Sequence, residues 1–375
     1  MKVSNKTLTL MLCLLGQSNH QSLAWAPATP RRHYGTIIEM SSSGDGDTKV
    51  EASIGSNVVL APSEDASAFD SLKLGSPRVH RYSREGSEGS EYIMWYHGRD
   101  ASLHDAPPLS TGRIGKATSR NGLHWTKEKQ GSESEDASDV SLGLNKESWW
   151  CFDTGHVGLG QVLLPMSLPS VISEGGVYMM YYMGGSLEEN DIMEFMSNDA
   201  PDMGDKKVTG MKMKIGVALS QDGTTFGRIE GDDPTGAIMV PYDKSMGKIT
   251  GKNKMDALDI EEELYCGWPD VVPIIDGKDD FLMYYSTMLK DTKEKAIAFG
   301  VSKNGVSFGK RGVCLRPEAG TQDEKGCARC TVFENQEYND NGRWTKSEGF
   351  TMLYEGGKVT IYLKKSINLL SKDMD

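Results

Sequence analysis

Tyr92-Ile93-Met94-Trp95-Tyr96-His97-Gly98 returns as Tyr178-Met179-Met180-Tyr181-Tyr182-Met183-Gly184. It returns again as Phe281-Leu282-Met283-Tyr284-Tyr285-Ser286-Thr287 and as Phe350-Thr351-Met352-Leu353-Tyr354-Glu355-Gly356. Each copy is short, apolar and rich in aromatics, which reads as a buried strand rather than a helix. A second stretch follows three of the copies: Ile114-Gly115-Lys116-Ala117-Thr118-Ser119-Arg120-Asn121-Gly122, Ile215-Gly216-Val217-Ala218-Leu219-Ser220-Gln221-Asp222-Gly223 and Ile297-Ala298-Phe299-Gly300-Val301-Ser302-Lys303-Asn304-Gly305. Asn-Gly or Asp-Gly after a strand predicts a hairpin, with a type I′ turn and positive φ at both central residues. Trp125, Phe226 and Phe308, three residues past each Gly, open the return strand.

A third element precedes each copy: Pro77-Arg78-Val79, Pro169-Ser170-Val171, Pro269-Asp270-Val271 and, more weakly, Cys330-Thr331-Val332. The unit is therefore four-stranded: inner strand, aromatic strand, strand to the turn, return strand. Irregular spacing between units disfavours a solenoid and fits a β-propeller. The blades are expected from about Ser76 to Lys129, Leu168 to Ile229, Trp268 to Leu315, and from Arg329 onward.

Net charge of −12 disfavours nucleic acid and anionic membrane as partners. Beyond the N-terminus no run of about 18 apolar residues occurs, so no membrane span is expected in the mature chain. The 375 residues suffice for one large all-β domain. Lys2 and Lys6, the apolar run Leu8–Leu15 and Ser22-Leu23-Ala24 read as a signal peptide over 1–24. Residues 25–53 carry Arg31, Arg32 and His33 with no acid before Glu39, as a transit peptide does, leaving 54–375 for the propeller. Five cysteines remain after the signal, an odd number that describes no disulfide framework. Cys327 and Cys330 have metal or redox spacing but lack a second pair, and read as two thiols in one strand.

Trp149 to Gly160 gathers aromatics, Asp153, His156 and three glycines into twelve residues. It reads either as a crossover between blades or as a loop lining a central channel. Residues Ser186–Met213 form an acidic, Met-rich insertion, expected to be a mobile surface loop. After Gly356 one strand fits, but a closing hairpin and a fifth unit do not. Only 19 residues (375 − 356) remain, against roughly 55–70 per unit. The C-terminus is therefore expected to be incomplete or divergent, unless residues near Ser56–Leu60 supply part of a missing blade.

The order Pro-x-Val strand, Met-Tyr-Tyr strand, Ile-Gly-x-Ala-x-Ser-x-Asp-Gly hairpin resembles the five-bladed β-propeller superfamily of arabinanases, invertases and levansucrases, over about residues 76–356. The resemblance implies an all-β, five-bladed propeller of four-stranded blades, four of them evident. It further implies glycoside hydrolysis or transglycosylation by carboxylates in a central funnel. The superfamily's nucleophile or base usually precedes the Pro of an inner strand, where this chain has Ser76, Leu168, Trp268 and Arg329. The remaining candidates are Asp153 as base or nucleophile, Glu334 as acid and Asp270 as the group that tunes it. Trp149, Trp150 and Trp268 would stack on sugar faces. Arg78, Arg329 and His156 would bind hydroxyls or an anionic group. The missing acids equally fit a non-catalytic propeller that binds a carbohydrate or protein ligand. A six-bladed sialidase-type propeller is disfavoured by the one-residue-shorter Ser-x-Asp-Gly box. No His-x-x-x-His or Glu-x-x-His spacing and no cofactor motif is read. His156 would be the contact for an ion in the channel. The ligand class is a small molecule or glycan, and the oligomeric state stays open.

Ala24-Trp25-Ala26-Pro27 resembles the Ala-Phe-Ala-Pro junction of diatom and related algal plastid precursors, with Trp for Phe. Plastid delivery is expected from it, with secretion as the alternative. Residues 1–55 fused to a fluorescent protein should light the plastid of a diatom. Fluorescence confined to the medium or endoplasmic reticulum would reject that destination.

Overall fold

The computed structural model describes residues 58–83, 90–100, 112–128, 140–166, 177–198, 200–246, 260–274, 280–338, 344–356 and 360–365. The described residues are all-β apart from two short 3-10 turns. The first blade holds β1 (Lys73–Ser83), β2 (Ser90–Arg99), β3 (Arg113–Ser119) and β4 (Thr126–Lys127) in antiparallel order β1-β2-β3-β4. The second holds β5 (His156–Met166) and β6 (Val177–Gly185). An excursion, β7 (Asn190–Asp191) paired with β8 (Lys207–Val208), precedes β9 (Lys214–Ser220) and β10 (Gly227–Ile229). The third holds β11 (Glu263–Ile274), β12 (Asp280–Leu289), β13 (Lys295–Ser302) and β14 (Gly309–Leu315). The fourth holds β15 (Cys327–Tyr338), β16 (Trp344–Gly356) and β17 (Thr360–Lys365). Successive four-stranded meanders packed face to face make a β-propeller.

The aromatic strands are the second strand of every blade, as the repeat predicts. The inner strand of the second blade departs from expectation. β5 pairs with β6 from His156↔Gly185 to Met166↔Val177. Pro169-Ser170-Val171 lies outside the described residues, and its expected place beside β6 is held by β5. The stretch read as a crossover or channel loop is thus partly an inner strand. The common inner motif is Gly75-Ser76-Pro77-Arg78-Val79, Gly158-Leu159-Gly160-Gln161-Val162, Gly267-Trp268-Pro269-Asp270-Val271 and Ala328-Arg329-Cys330-Thr331-Val332. Each motif bulges at its centre, so two residues oppose one on the aromatic strand. Gly160 fills the Pro position because a Cβ there would meet Pro269 Cγ at 2.4 Å.

The hairpins also differ from the type I′ expectation. Strands close with six-residue connections, 120–125, 221–226 and 303–308, and of each Asn/Asp-Gly pair only the Gly has positive φ. Ser119, Ser220 and Ser302 hydroxyls accept the Gly N–H at 2.9 Å. Asn121, Asp222 and Asn304 side chains accept the next N–H groups. Side-chain acceptors thus satisfy a wider loop that a two-residue turn would not need.

Between blades, apolar faces of adjacent sheets interlock. Trp95, Tyr182, Val162 and Phe226 share one cluster. Tyr181, Met283, Tyr285 and Val271 share the next, and Tyr284, Cys330, Val332 and Met352 the third. Trp95 Nε1 donates to Gly223 O of the second blade's hairpin, and the Tyr181 hydroxyl to Gly305 O of the third. The first and second blades thereby tie to the turn of the next. The 186–213 insertion is folded against this frame rather than standing free. Phe195 and Met213 pack with Met183, Leu264, Tyr265 and Met288, and Met213 O accepts the Cys266 N–H at 2.9 Å. Residues 58–60 contribute no strand, although Leu60 packs against the first blade.

Candidate functional site: the mouth of the central funnel

The fifth residue of every copy of the aromatic repeat is Tyr, and its hydroxyl donates to a buried carboxylate. Tyr96 reaches Asp70 at 3.0 Å, Tyr182 reaches Asp153 at 3.0 Å, Tyr285 reaches Glu263 at 2.8 Å and Tyr354 reaches Asp323 at 2.8 Å. In three blades a cation on the outer strand completes the group. Lys127 and Arg228 lie 2.6 Å from Asp70 and Asp153, and Lys310 pairs with Glu263. Those cations stand two residues past Trp125, Phe226 and Phe308. In the fourth blade Asp323 takes the Thr321 hydroxyl and the Cys327 thiol. Phe69 and Phe152, just before their Asp, stack on Tyr96 and Tyr182 with centroids 5.8 and 5.7 Å apart. The glycines of the Ile-Gly pairs give those rings room: a Cβ on Gly115 would meet Phe69 at 2.3 Å, and one on Gly216 would meet Phe152 at 2.6 Å.

Asp153 is therefore one of four equivalent carboxylates. Its side chain is 1% exposed and shared between Tyr182 and Arg228. Asp270 occupies a different place, at the axis. Arg78 of β1 donates through Nε to Gly160 O of β5 at 2.5 Å and lies 3.5 Å from Asp270 Oδ1. Asp270 Oδ2 accepts the Val332 N–H of β15 at 2.8 Å. One arginine and one aspartate thus join all four inner strands. Burial pushes the Asp270 carboxyl above its ordinary range, with Arg78 and the Val332 amide opposing that shift. The one-residue offset from the Pro has turned Asp270 into an interstrand clasp with 0% exposure. Glu334 lies on β15 opposite Phe350, three residues beyond the level of Asp270. At a strand rise of ~3.3 Å that is about 10 Å farther along the axis. The three candidate acids thus sit in separate places.

The mouth is lined by equivalent positions. At the bulge stand Ser76, Leu159, Trp268 and Arg329. One residue past the Tyr stand His97, Met183, Ser286 and Glu355. The Trp268 N–H points at Met183 Sδ at 3.4 Å, and the Arg329 N–H donates to Ser286 Oγ at 2.7 Å. Ser76, Trp268 and Arg329 have φ of 48°, 48° and 47°. A left-handed conformation costs a side-chain-bearing residue roughly 1–2 kcal/mol. Here it turns Trp268 and Arg329 together: the guanidinium lies 5.0 Å over the indole and bonds Glu355 at 3.0 Å. Tyr265 meets the Trp268 edge.

His156, buried, accepts the Gly112 N–H at its Nδ1 at 3.2 Å, so its proton sits on Nε2, which has no partner among the described residues. Its ring lies 5.4 Å from that of His97. Trp149 and Trp150 take a different position. They are exposed, Trp149 by 86%, and pack edge to face on each other. Their loop runs toward the outer part of the second blade, where Phe152 N–H bonds Thr235 O. Of the sequence candidates, Trp268 and Arg329 stack on each other, His156 lies buried beside His97, Arg78 and Asp270 tie the inner strands, and Asp153, Glu334, Trp149 and Trp150 lie elsewhere. His97 and Glu355 were missed. Their signal was positional: both hold the same place in the aromatic repeat. Among the described residues no three His, Cys, Asp or Glu gather in a metal-holding cluster, and no helix is long and apolar enough to cross a membrane. Cys327 and Cys330 are buried on one strand as thiols, that of Cys327 donating to Asp323, with burial pushing the Cys330 thiol up.

No protein-family model matches this chain, and no curated protein matches it. Among solved structures, a glycosyl hydrolase from Bacteroides ovatus is 13% identical, covering 80% of this chain and 67% of the other, with a TM-score of 0.43. The endo-arabinase of Bacteroides thetaiotaomicron is 14% identical, with coverage of 84% and 81% and a TM-score of 0.42. A family 117 glycoside hydrolase from the marine bacterium Zobellia galactanivorans is 14% identical, with coverage of 76% and 67% and a TM-score of 0.37. Likeness at this level concerns the fold alone.

Burial holds His80 and His97 near a pKa of about 4, and His156 well below the ordinary value. The unfolded chain takes these protons first, near pH 6.5, so the folded state loses stability as pH falls from there toward 4. The depressed carboxylates, Asp233 and Asp323 among them, lose theirs only at lower pH, and Asp270 acts in the opposite sense. The melting temperature should therefore drop between pH 7 and 5, and His80→Gln and His97→Gln should each flatten that drop. A flat profile for the parent chain would contradict neutral burial of these imidazoles.

Proposed function

We propose that this chain is a glycosyl hydrolase-like β-propeller that binds a carbohydrate at its funnel mouth without cleaving it by two-carboxylate chemistry. The observation that carries the reading is the fate of the acids. Hydrolysis needs one carboxyl to protonate the leaving oxygen and a second facing the anomeric carbon or its water, about 5–10 Å away. Asp153 repeats a structural carboxylate found in every blade, and Asp270 clasps inner strands with no exposed surface. Trp268, Arg329, Glu355 and His97 instead offer an aromatic platform beside fixed polar groups, the composition of a small-ligand site. The strained backbone at Trp268 and Arg329 fits a functional mouth, since such strain collects at ligand clamps.

A catalytic reading keeps one supporting observation, the raised carboxyl of Asp270 at the axis, which would suit a proton donor. In that reading Glu334 and Asp153 would supply the second group. Delivery to a plastid by residues 1–53 remains part of the proposal and rests on the leader alone.

The two readings separate in one set of assays. The full chain is incubated with arabinan, fructan and β-mannan oligosaccharides, and both binding and new reducing ends are measured. We expect binding without reducing ends above blank, and at least a tenfold loss of affinity in Trp268→Ala. Reducing ends that vanish in Asp270→Asn or Glu334→Gln would overturn the binding reading.

A further inference from the structure

We infer that His97 and His156 form a paired subsite for one uncharged hydroxyl group of the bound carbohydrate, between the first and second blades. The inference rests on the ligand-binding reading above and deepens it. His97 comes from β2 and His156 from β5, and Gly112 lets their rings meet. Both Cε1 atoms lie 2.4 Å from the point where a Gly112 Cβ would stand, and the ring centroids are 5.4 Å apart.

Each ring has one nitrogen engaged and one left over. His156 Nδ1 accepts the Gly112 N–H, so its Nε2 carries the proton. A hydrogen bond with the Val157 backbone favours a proton on His97. The Val157 N–H is already given to Gly112 O, so the Val157 carbonyl is what accepts from His97. His97 Nδ1 has no partner among the described residues, so Nε2 is the donor and Nδ1 keeps its lone pair. One buried donor and one buried acceptor thus stand unpartnered on adjoining rings.

That combination selects its ligand. A hydroxyl accepts from one nitrogen and donates to the other, satisfying both at once. An ionised carboxylate or phosphate oxygen only accepts, and would face the His97 lone pair. A metal ion needs a lone pair from each ligand, and His156 Nε2 holds a proton while Gly112 bonds its Nδ1. Burial keeps both rings neutral near pH 7, so neither offers a positive charge to an anion. The pair also adjoins the aromatic platform. A Cβ on Gly158 would stand 3.3 Å from His156 Nε2 and 2.4 Å from Met183 Cε, and Met183 Sδ receives the Trp268 N–H. A water molecule has the same donor and acceptor capacity as a sugar hydroxyl, and the experiment separates the two.

The test uses the full chain with isotope-labelled histidine, read by nitrogen NMR, and three probes: arabinotriose, kestose and β-mannotriose. In the free protein both rings should be neutral and protonated at Nε2. A probe that binds should shift His97 Nδ1 and His156 Nε2 together. His97→Phe and His156→Phe should each weaken that probe about tenfold, and the double variant little more than either one, since both rings hold the same hydroxyl. Zinc ion added alone should leave both nitrogens unshifted. Binding with both nitrogens unshifted would mean that a resident water fills the pair. That result, additive losses in the double variant, or zinc ligation by the two rings would each overturn this inference and leave the ligand-binding reading standing. No binding of any probe at millimolar concentration would overturn both.

Discussion

A carboxylate buried under a tyrosine hydroxyl, repeated in four blades, is the constraint on which this propeller depends. Burying a carboxylate is costly, and the cost is offset only when hydrogen bonds and a counter-charge surround it. Three blades meet that condition in full and the fourth surrounds Asp323 with hydrogen bonds, each with residues drawn from several parts of its own sequence. The acid comes from the chain leading into the inner strand, the Tyr from the second strand and, in three blades, the cation from the fourth. The link therefore spans a blade from its entry to its edge. Asp70 precedes Ser76, Asp153 precedes Leu159 and Asp323 precedes Arg329 by six residues, and Glu263 precedes Trp268 by five. This spacing sets the bulge, and the bulge sets the mouth.

The same economy determines what the centre of the molecule does. Arg78 and Asp270 bind the inner strands to one another, so the axis at that level is filled by an ion pair and a main-chain bond. One level above, the Arg329 guanidinium lies over Trp268 and pairs with Glu355, and His97 stands at the position equivalent to Glu355. Those residues owe their positions to the frame beneath them. The bulge turns Trp268 and Arg329 outward, and the aromatic strands carry His97 and Glu355 one step past their anchoring tyrosines. Frame and mouth are therefore successive layers of one repeat, and adjacent residues in the sequence serve different purposes.

Much of this was legible in the sequence because its signals are local. Aromatic strands announce themselves by composition, and the Ser-x-Asn/Asp-Gly boxes by the positive φ that only their Gly adopts. The inner strand of the second blade was not legible from Pro-x-Val, because Gly160 stands where Pro stands in its neighbours and solves a close approach to Pro269. The role of Asp153 was hidden for another reason. Buried structural carboxylates and catalytic ones share residue type and glycine-rich surroundings, and only the recurrence of Asp70, Glu263 and Asp323 five or six residues before the bulge tells them apart. The acidic insertion looked like a free loop because its polar residues outnumber the few, Phe195 and Met213, that anchor it.

The most direct test of this frame is a double-mutant cycle on Asp153 and Arg228, read by equilibrium unfolding. Arg228→Met alone leaves a buried carboxylate without its counter-charge and should cost about 3–5 kcal/mol. Asp153→Asn should cost a substantial part of that, and the double variant clearly less than the two losses together. Additive losses, or an Asp153→Asn protein as stable as the parent, would contradict the structural assignment of Asp153.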